Sequence, residues 1–388
     1  MLRNCVNGSR QTQGSGPPVP VLCIHLQANA QKQRNKAVRR RRQNMLNWGV
    51  MGAGGIAYVF CNGMRFTDSG QILAVASRTQ SRIDRLVNDY NIPRQYNDYD
   101  GLLTDDDIDA VYIATIHPLH EEWAIKCAEA GKHLLVEKPI SMNRAEAAAM
   151  VDAARENDVF LMEAFMYRCH PQIAKVVELI QDGAIGEVLV IRSIFGYRSN
   201  FNPQSRIFNR EMGGGGILDI GCYTASMTRK MAGAAENKLF LNPVEVKGNG
   251  KIGPTGVDHI AAATLKFENG IIGEIIAAVE CSVGSSVFIY GSEGSITIPS
   301  PWLPSSPCRH AREPLPLDTV FPSTKIIIES QQNREDITVD VDRDLFTYEA
   351  DTVANHIADR QAPAMSWDDT LGNMQLLEAW LAEVGVVH

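Results

Sequence analysis

Three polar side chains in this sequence are placed to do chemistry. One is a lysine that closes an apolar strand. The others are an aspartate and a tyrosine four residues apart, just beyond a run of glycines. The predicted strand at 133–136 runs into Glu137-Lys138-Pro139. An ammonium at such a strand end can hydrogen-bond a substrate oxygen and favour its anionic form while a hydride moves. Glu137 can orient that ammonium. The second segment reads Gly213-Gly214-Gly215-Gly216-Ile217-Leu218-Asp219-Ile220-Gly221-Cys222-Tyr223. Its four glycines permit close approach of backbone to a ligand. On a helix Asp219 and Tyr223 share one face. Together they can position and protonate an alcohol oxygen. Each feature alone also has an ordinary reading, as a surface turn, a capping aspartate or a packed tyrosine.

Hydride chemistry needs a carrier, and the start of the chain's apolar body offers a place for one. A strand predicted over 46–51 leads into Gly52-Ala53-Gly54-Gly55-Ile56-Ala57, a G-x-G-x-x-A turn that opens a helix. Gly52 permits the tight turn, Gly54 and Gly55 let a pyrophosphate approach the backbone, and the small Ala57 lets the helix pack close to the sheet. The free N–H groups at Ile56 and its neighbours face the phosphate. The second strand ends Ala76-Ser77-Arg78, without the acid that holds the ribose of NAD. Arg78 can pair with a 2′-phosphate, so NADP is preferred and NAD remains open. After the next strand come Thr115 and His120, at an end that faces the ligand crevice. His120 can contact the nicotinamide side or cap the following helix.

The elements that would hold these groups alternate. The apolar spacing predicts strands over 46–51, 71–76, 110–114, 133–136 and 159–162. Helices are predicted over 56–66, 80–90, 121–130 and, from a cap at Ser141 or Asn143, to 156. Such alternation means a parallel sheet with helices on both faces. From 164 onward the pattern changes. A helix over 171–181 precedes strands at 188–195, 261–267, 270–279, 286–290 and 295–298, which read as antiparallel. The proline-rich stretch 299–325 reads as loop rather than core, and 348–384 as helix broken near Pro363. At about 150 residues per domain, 388 residues predict two or three domains. The division read here is a leader over 1–45, a dinucleotide-binding domain over 46–163, and a substrate-binding and oligomerisation domain over 164–388.

Composition excludes several classes. Hydrophobic residues make up 45% and charged residues 21%, as in ordinary globular proteins. No run approaches the ~20 apolar residues of a membrane span. The net charge is −8, which disfavours nucleic acid as a partner. Nine basic groups and no acid lie in residues 1–45, so the remainder carries 28 basic against 45 acidic groups, a net of −17. The leader reads as disordered. It is a transit peptide, an anionic-surface binder or an inert extension, and Met45 directly before the first strand favours the last. The eight cysteines are scattered without C-x-x-C, which fits reduced thiols in a cytoplasmic protein without a metal site.

The order G-x-G-x-x-A, Ala76-Ser77-Arg78, Glu137-Lys138-Pro139, the segment 163–171 and G-G-G-x-L-D-I-G-C-Y resembles the Gfo/Idh/MocA family over about 46–388. Within it, the sequence is most similar to the dihydrodiol dehydrogenase and NADP-dependent D-xylose dehydrogenase branch, because Tyr223 stands where many members have His. The resemblance implies an α/β protein, with a Rossmann domain followed by an α/β domain whose open, mostly antiparallel sheet pairs copies into dimers or higher. It implies catalytic roles for Lys138, Tyr223 and Asp219. It also implies an NAD(P)-dependent oxidoreductase acting on a sugar, polyol or cyclic diol. The alternative is an NADP-binding redox sensor or scaffold without turnover. Arg168 and His170 line the pocket or, with greater weight, pack the two domains together.

Overall fold

A computed structural model describes residues 45–387. All but the last residue of the leader read over 1–45 lies outside the described residues. The first sheet contains β1 (Leu46–Met51), β2 (Gly70–Ala76), β3 (Arg94–Tyr96), β4 (Ala110–Ile113), β5 (His133–Glu137) and β6 (Leu161–Ala164). Their order is β3-β2-β1-β4-β5-β6, all parallel. The connecting helices are α1 (Gly55–Gly63), α2 (Gln80–Tyr90), the single turn α3 (Asp100–Leu103), α4 (His120–Glu129) and α5 (Arg144–Glu156). All four residues of β4 are buried, as expected for a parallel strand covered on both faces. Asn143 caps α5 by accepting from the Glu146 N–H at 2.9 Å, whereas Ser141 donates to the Asn143 carbonyl. The strand order reverses between β1 and β4, and ligands bind beyond the carboxyl ends of strands at such a point.

Helix α6 (Pro171–Gln181) leads to the second sheet. It contains β7 (Val188–Gly196), β8 (Glu245–Ile252), β9 (Asp258–Lys266), β10 (Ile272–Ala278), β11 (Gly284–Gly291), β12 (Gly294–Ile298), β13 (Thr324–Ser330) and β14 (Arg334–Val339). The order is β14-β13-β12-β11-β7-β10-β9-β8. Every pair is antiparallel except β7 with β10. Helix α7 (Cys222–Ala234) covers one face. The fold is α/β, a Rossmann sheet beside a mixed, mostly antiparallel one.

Four strands have no counterpart among the sequence expectations. β3 is three residues long. β8 reads Glu-Val-Lys-Gly-Asn-Gly-Lys-Ile and is mostly exposed. β13 and β14 follow the proline-rich stretch, and half of β14 is charged. β3, β8 and β14 are edge strands, where polar residues replace the apolar alternation. The expectation that 299–325 stays out of the core also needs correction. Trp302 is only 2% exposed; its ring stacks on Phe195 at 5.4 Å, and its Nε1–H donates to the Ile194 carbonyl at 3.0 Å.

Of the C-terminal helices, α8 (Leu345–His356) returns to the first sheet's side, whereas α9 (Trp367–Val384) packs against β8 of the second sheet and α5 of the first domain. Helix α8 crosses α1 at Gly63, where a Cβ would lie 2.7 Å from that of Phe346. The Thr347 hydroxyl donates to the Gly63 carbonyl at 2.8 Å. On α9, Asp369 is buried between Arg168 and Arg229. It pairs with Arg229 Nη1 at 2.6 Å and with Arg168 Nη2. Arg168 therefore packs segments together, and His170 Nδ1 caps α6 by accepting from the Gln172 N–H.

Candidate active site

The β1–α1 turn forms a cradle. Gly52 has φ +99°, and a Cβ there would lie 2.7 Å from the Ala114 carbonyl oxygen on the neighbouring strand's exit, so only glycine fits. At Gly54 and Gly55 a Cβ would enter open space. Gly54 precedes α1 without a side-chain cap, and the first turn holds no acid, so its N–H groups face outward unpaired with side chains. Beside them the buried Thr115 hydroxyl has no hydrogen-bond partner among the described residues. These features fit a dinucleotide pyrophosphate. The cradle opens into a cavity of about 990 Å³ that runs between the two sheets.

The cavity is lined by Gly52, Gly54, Gly55, Ile56, Ser77, Arg78, Thr115, Glu137, Lys138, Asp219 and Tyr223, all expected from the sequence. Two expected residues stand apart. Ala57 is fully buried where α1 packs on the sheet. His120 does not line the cavity. Its fully buried ring faces the carbonyls of Pro139, Ile140 and Thr115, and burial lowers it to about 4. It braces the turn after β5, which contains a cis peptide at Lys138-Pro139.

At the far end of the cavity, Lys138 Nζ donates to the Asp219 main-chain oxygen at 2.8 Å and stands 4.8 Å from the Tyr223 ring centre. Glu137 holds the lysine's backbone rather than its ammonium. Its carboxylate accepts from the Lys138 N–H at 3.2 Å and from the Tyr112 hydroxyl. Burial raises the Glu137 carboxyl, and the Lys138 charge offsets part of that rise.

Asp219 and Tyr223 do not meet as the four-residue spacing predicts. Ile217–Gly221 is a π-helical turn, and α7 begins only at Cys222. Asp219 accepts instead from Arg206 Nη2 at 2.6 Å and from the Tyr197 hydroxyl. Burial works against its charge, yet Arg206 and Lys138 hold its carboxyl well below the usual carboxylate range. Among the described residues, the Tyr223 hydroxyl hydrogen-bonds only to Met166 Sδ, at 3.7 Å. Its ring is boxed in by Phe165, Tyr167, Phe195 and Trp302. Burial holds the phenol well above its ordinary value, with Glu137 adding to the effect, so it carries its proton.

The four glycines serve the chain rather than a ligand. A Cβ on Gly215 would lie 2.4 Å from Asp258 Oδ1, and one on Gly214 within 2.7 to 2.8 Å of three carbonyl oxygens. Asp258 Oδ2 accepts from the Ile217 N–H at 2.8 Å and so fixes the turn that presents Asp219.

Among the further residues that line the cavity, Arg206, Tyr197, His117 and Trp302 stand at the substrate end without being expected there from the sequence. Tyr197 directly follows β7, and a polar aromatic at a strand end is the one hint available. Arg206 lies in an aperiodic loop, and Trp302 in the proline-rich stretch.

Residues 46–165 match an oxidoreductase family with an NAD-binding Rossmann fold, and 173–297 match the GFO/IDH/MocA C-terminal domain. A trans-1,2-dihydrobenzene-1,2-diol dehydrogenase of Mus musculus is 33% identical over 262 residues, 67% of this chain and 76% of that protein. The chain belongs to the Gfo/Idh/MocA family. A second family member of the same name, from Danio rerio, is 33% identical over 264 residues, 67% of this chain and 77% of its own. Among solved Gfo/Idh/MocA-like structures, a 3-ketoreductase from Actinomadura kijaniata with NADP and TDP-benzene has TM-score 0.74 at 25% identity, covering 88% of this chain and 98% of its own. An aldose-aldose oxidoreductase from Caulobacter crescentus complexed with glycerol has TM-score 0.74 at 22% identity, covering 87% and 97%, and shows the shared fold. This Gfo/Idh/MocA protein is thus an oxidoreductase with an NAD-binding Rossmann sheet. No helix among the described residues is long and apolar enough to cross a membrane.

Proposed function

We propose that the protein is an NADP-dependent dehydrogenase or reductase acting on the hydroxyl or carbonyl carbon of a sugar, polyol or cyclic diol. The observation that carries this reading is the meeting of Lys138, Tyr223 and the Asp219 turn at the inner end of the dinucleotide cradle. When bound, the nicotinamide cofactor supplies or accepts the hydride. Gly52, Gly54, Gly55 and the α1 N-terminus would hold its pyrophosphate, with Ser77 and Arg78 toward the adenosine ribose. Tyr223 donates its phenolic proton to a carbonyl oxygen in reduction and takes it back in oxidation. Lys138 stabilises the developing alkoxide. Asp219, charged at neutral pH, fixes Arg206 and Tyr197 at the substrate end rather than acting on Tyr223.

NADP is preferred because Glu137 and Asp219, the two carboxylates lining the cavity among the described residues, both lie at the hydride-transfer end. The adenosine end carries Arg78. Dinucleotide binding is assigned to 46–163, and substrate binding and self-association to 164–388. The outer face of the second sheet exposes Leu189, Ile272 and Tyr290, which fits pairing of two copies there. The free thiols of the described cysteines fit a reducing compartment such as the cytoplasm.

The test is a panel of sugars, polyols, cyclic diols and their keto forms, followed by reduced-nicotinamide absorbance with NADPH or NADP⁺ and with the NAD pair. Turnover on at least one, lost in Lys138→Ala, is expected. NADPH binding without turnover on any substrate would favour the competing reading, a redox sensor or scaffold.

A further inference from the structure

The proline-rich stretch 299–325 contributes to the wall of the cavity at several points. Trp302 and Leu303 line its substrate end, and Arg309, His310 and Arg312 line it further along. The stretch is fastened at both ends. On the second sheet, Trp302 Nε1–H donates to the Ile194 carbonyl at 3.0 Å. On the Rossmann side, Arg85 Nη2 of α2 donates to the Arg312 carbonyl at 2.9 Å, and the Tyr58 hydroxyl of α1, which shares its proton with Asp89, lies 3.2 Å from the same oxygen. Asn62 of α1 completes the attachment. Its Nδ2 donates to the Glu313 carbonyl at 3.3 Å, and its Oδ1 accepts from the Leu315 N–H at 3.0 Å. Asn62 is fully buried, so these bonds are shielded from water.

This attachment places Arg312 at the adenosine end. Arg85, which grips its carbonyl, lies one helical turn after Arg82 on α2. Arg82 lines the cavity together with Arg78, Thr79 and Tyr99. Among the described residues, Arg78, Arg82 and Arg312 are in no ion pair, and no carboxylate lines this end. Three guanidiniums without a paired carboxylate thus line one end of the cavity, with Arg78 over the Tyr99 ring at 5.9 Å, and a doubly charged phosphate monoester is the ligand chemistry that pairs with them.

We propose that Arg312, delivered across the cavity by the strap 301–315, is a specificity-determining residue that recognises the 2′-phosphate of the dinucleotide. The inference rests on the NADP reading above and extends it to a residue outside the Rossmann segment. The strap thereby couples cofactor choice to the same stretch that walls the substrate end with Trp302.

The experiment is a fluorescence titration of wild type, Arg312→Ala and Arg312→Lys with NADPH and with NADH, which needs no substrate. Because the strap is held through the backbone carbonyl of Arg312, truncating the side chain leaves the attachment in place. Loss of one charge-assisted contact predicts that Arg312→Ala raises the NADPH Kd about tenfold or more. NADH affinity should stay within about twofold, and Arg312→Lys should fall between. Equal weakening toward both cofactors would overturn the assignment, as would no change in a protein that still prefers NADPH. That second outcome leaves the NADP reading standing. A wild type that binds both cofactors alike removes the NADP reading and Arg312's role together.

Discussion

Lys138 Nζ donates to the main-chain oxygen of Asp219 at 2.8 Å, across the divide between the two sheets. The bond ties the exit of β5 to the π-helical turn before α7. It also aims the ammonium across the Tyr223 ring, 4.8 Å from its centre. The lysine is thus held by a backbone carbonyl rather than by a carboxylate, which leaves its other N–H groups for a substrate oxygen.

Replacing Lys138 by Ala should reduce turnover by a factor on the order of 10² or more. NADPH affinity should change little, because the pyrophosphate cradle at Gly52 to Ile56 is built without it. Stopped-flow turnover and a fluorescence titration on the same preparation separate the two effects; near-wild-type turnover would remove Lys138 from the chemistry.

Tyr223→Phe removes only a hydroxyl whose one hydrogen bond among the described residues is to Met166 Sδ at 3.7 Å. The ring and its four aromatic neighbours remain, so the melting temperature should hold. Turnover should fall about 10²- to 10⁴-fold, the range of a lost general acid. A variant with unchanged turnover would assign proton transfer to another group.

Gly52→Ala forces φ +99° on a residue with a Cβ and drives that atom to 2.7 Å from the Ala114 carbonyl oxygen. A cost of about 1–3 kcal/mol is expected from the backbone conformation alone. Urea denaturation should show it, together with loss of NADPH binding. Gly54→Ala is the contrast: its Cβ meets nothing within 4 Å, so stability should persist while pyrophosphate access suffers.

Glu163 on β6 is fully buried and accepts from the Ile140 N–H at 3.0 Å. Burial pushes its carboxyl from 4.5 up to about 8. The folded state therefore binds a proton more tightly than the unfolded chain does. The resulting stabilisation is complete below pH 4.5 and is lost as pH rises through about 8. Glu163→Gln keeps the acceptor oxygen and cannot ionise. Relative to it, wild type should lose on the order of a few kcal/mol between those limits, read from urea midpoints. Parallel pH profiles would refute the assignment.

Asp369 lies between Arg168 and Arg229, all three nearly or fully buried. Asp369→Ala leaves two buried guanidiniums without their shared counter-charge. A loss of about 3–5 kcal/mol is expected, large enough to depress the yield of folded protein.

The parts of the site that were legible in the sequence are those dictated by local backbone geometry or by the end of a buried strand. Gly52 is readable because no other residue takes its φ, and Lys138 because β5 delivers it to the crevice. What escaped was set by distant pairing. Asp219 found Arg206 and Tyr197 rather than Tyr223, because a π-turn replaced the regular helix and the 197–209 loop folded over it. The glycines before Asp219 promise room for a ligand, yet Asp258, some forty positions later, fills that room. The same limit governed the fold: central strands announced themselves by apolar runs, whereas β3, β8 and β14 lack that signal at the sheet edges.

The lone parallel contact in the second sheet carries its own consequence. Val190 on β7 aligns with Ile272 on β10, and the intervening chain, which includes Arg206, Asp219 and Tyr223, must first travel to the opposite border of the sheet and return. Contacts of such long sequence separation form late and slowly. Arg206, Asp219 and Tyr223 thus all belong to the excursion that this one pairing closes, so the substrate end of the crevice depends on a long-range contact whereas the Gly52 turn is local.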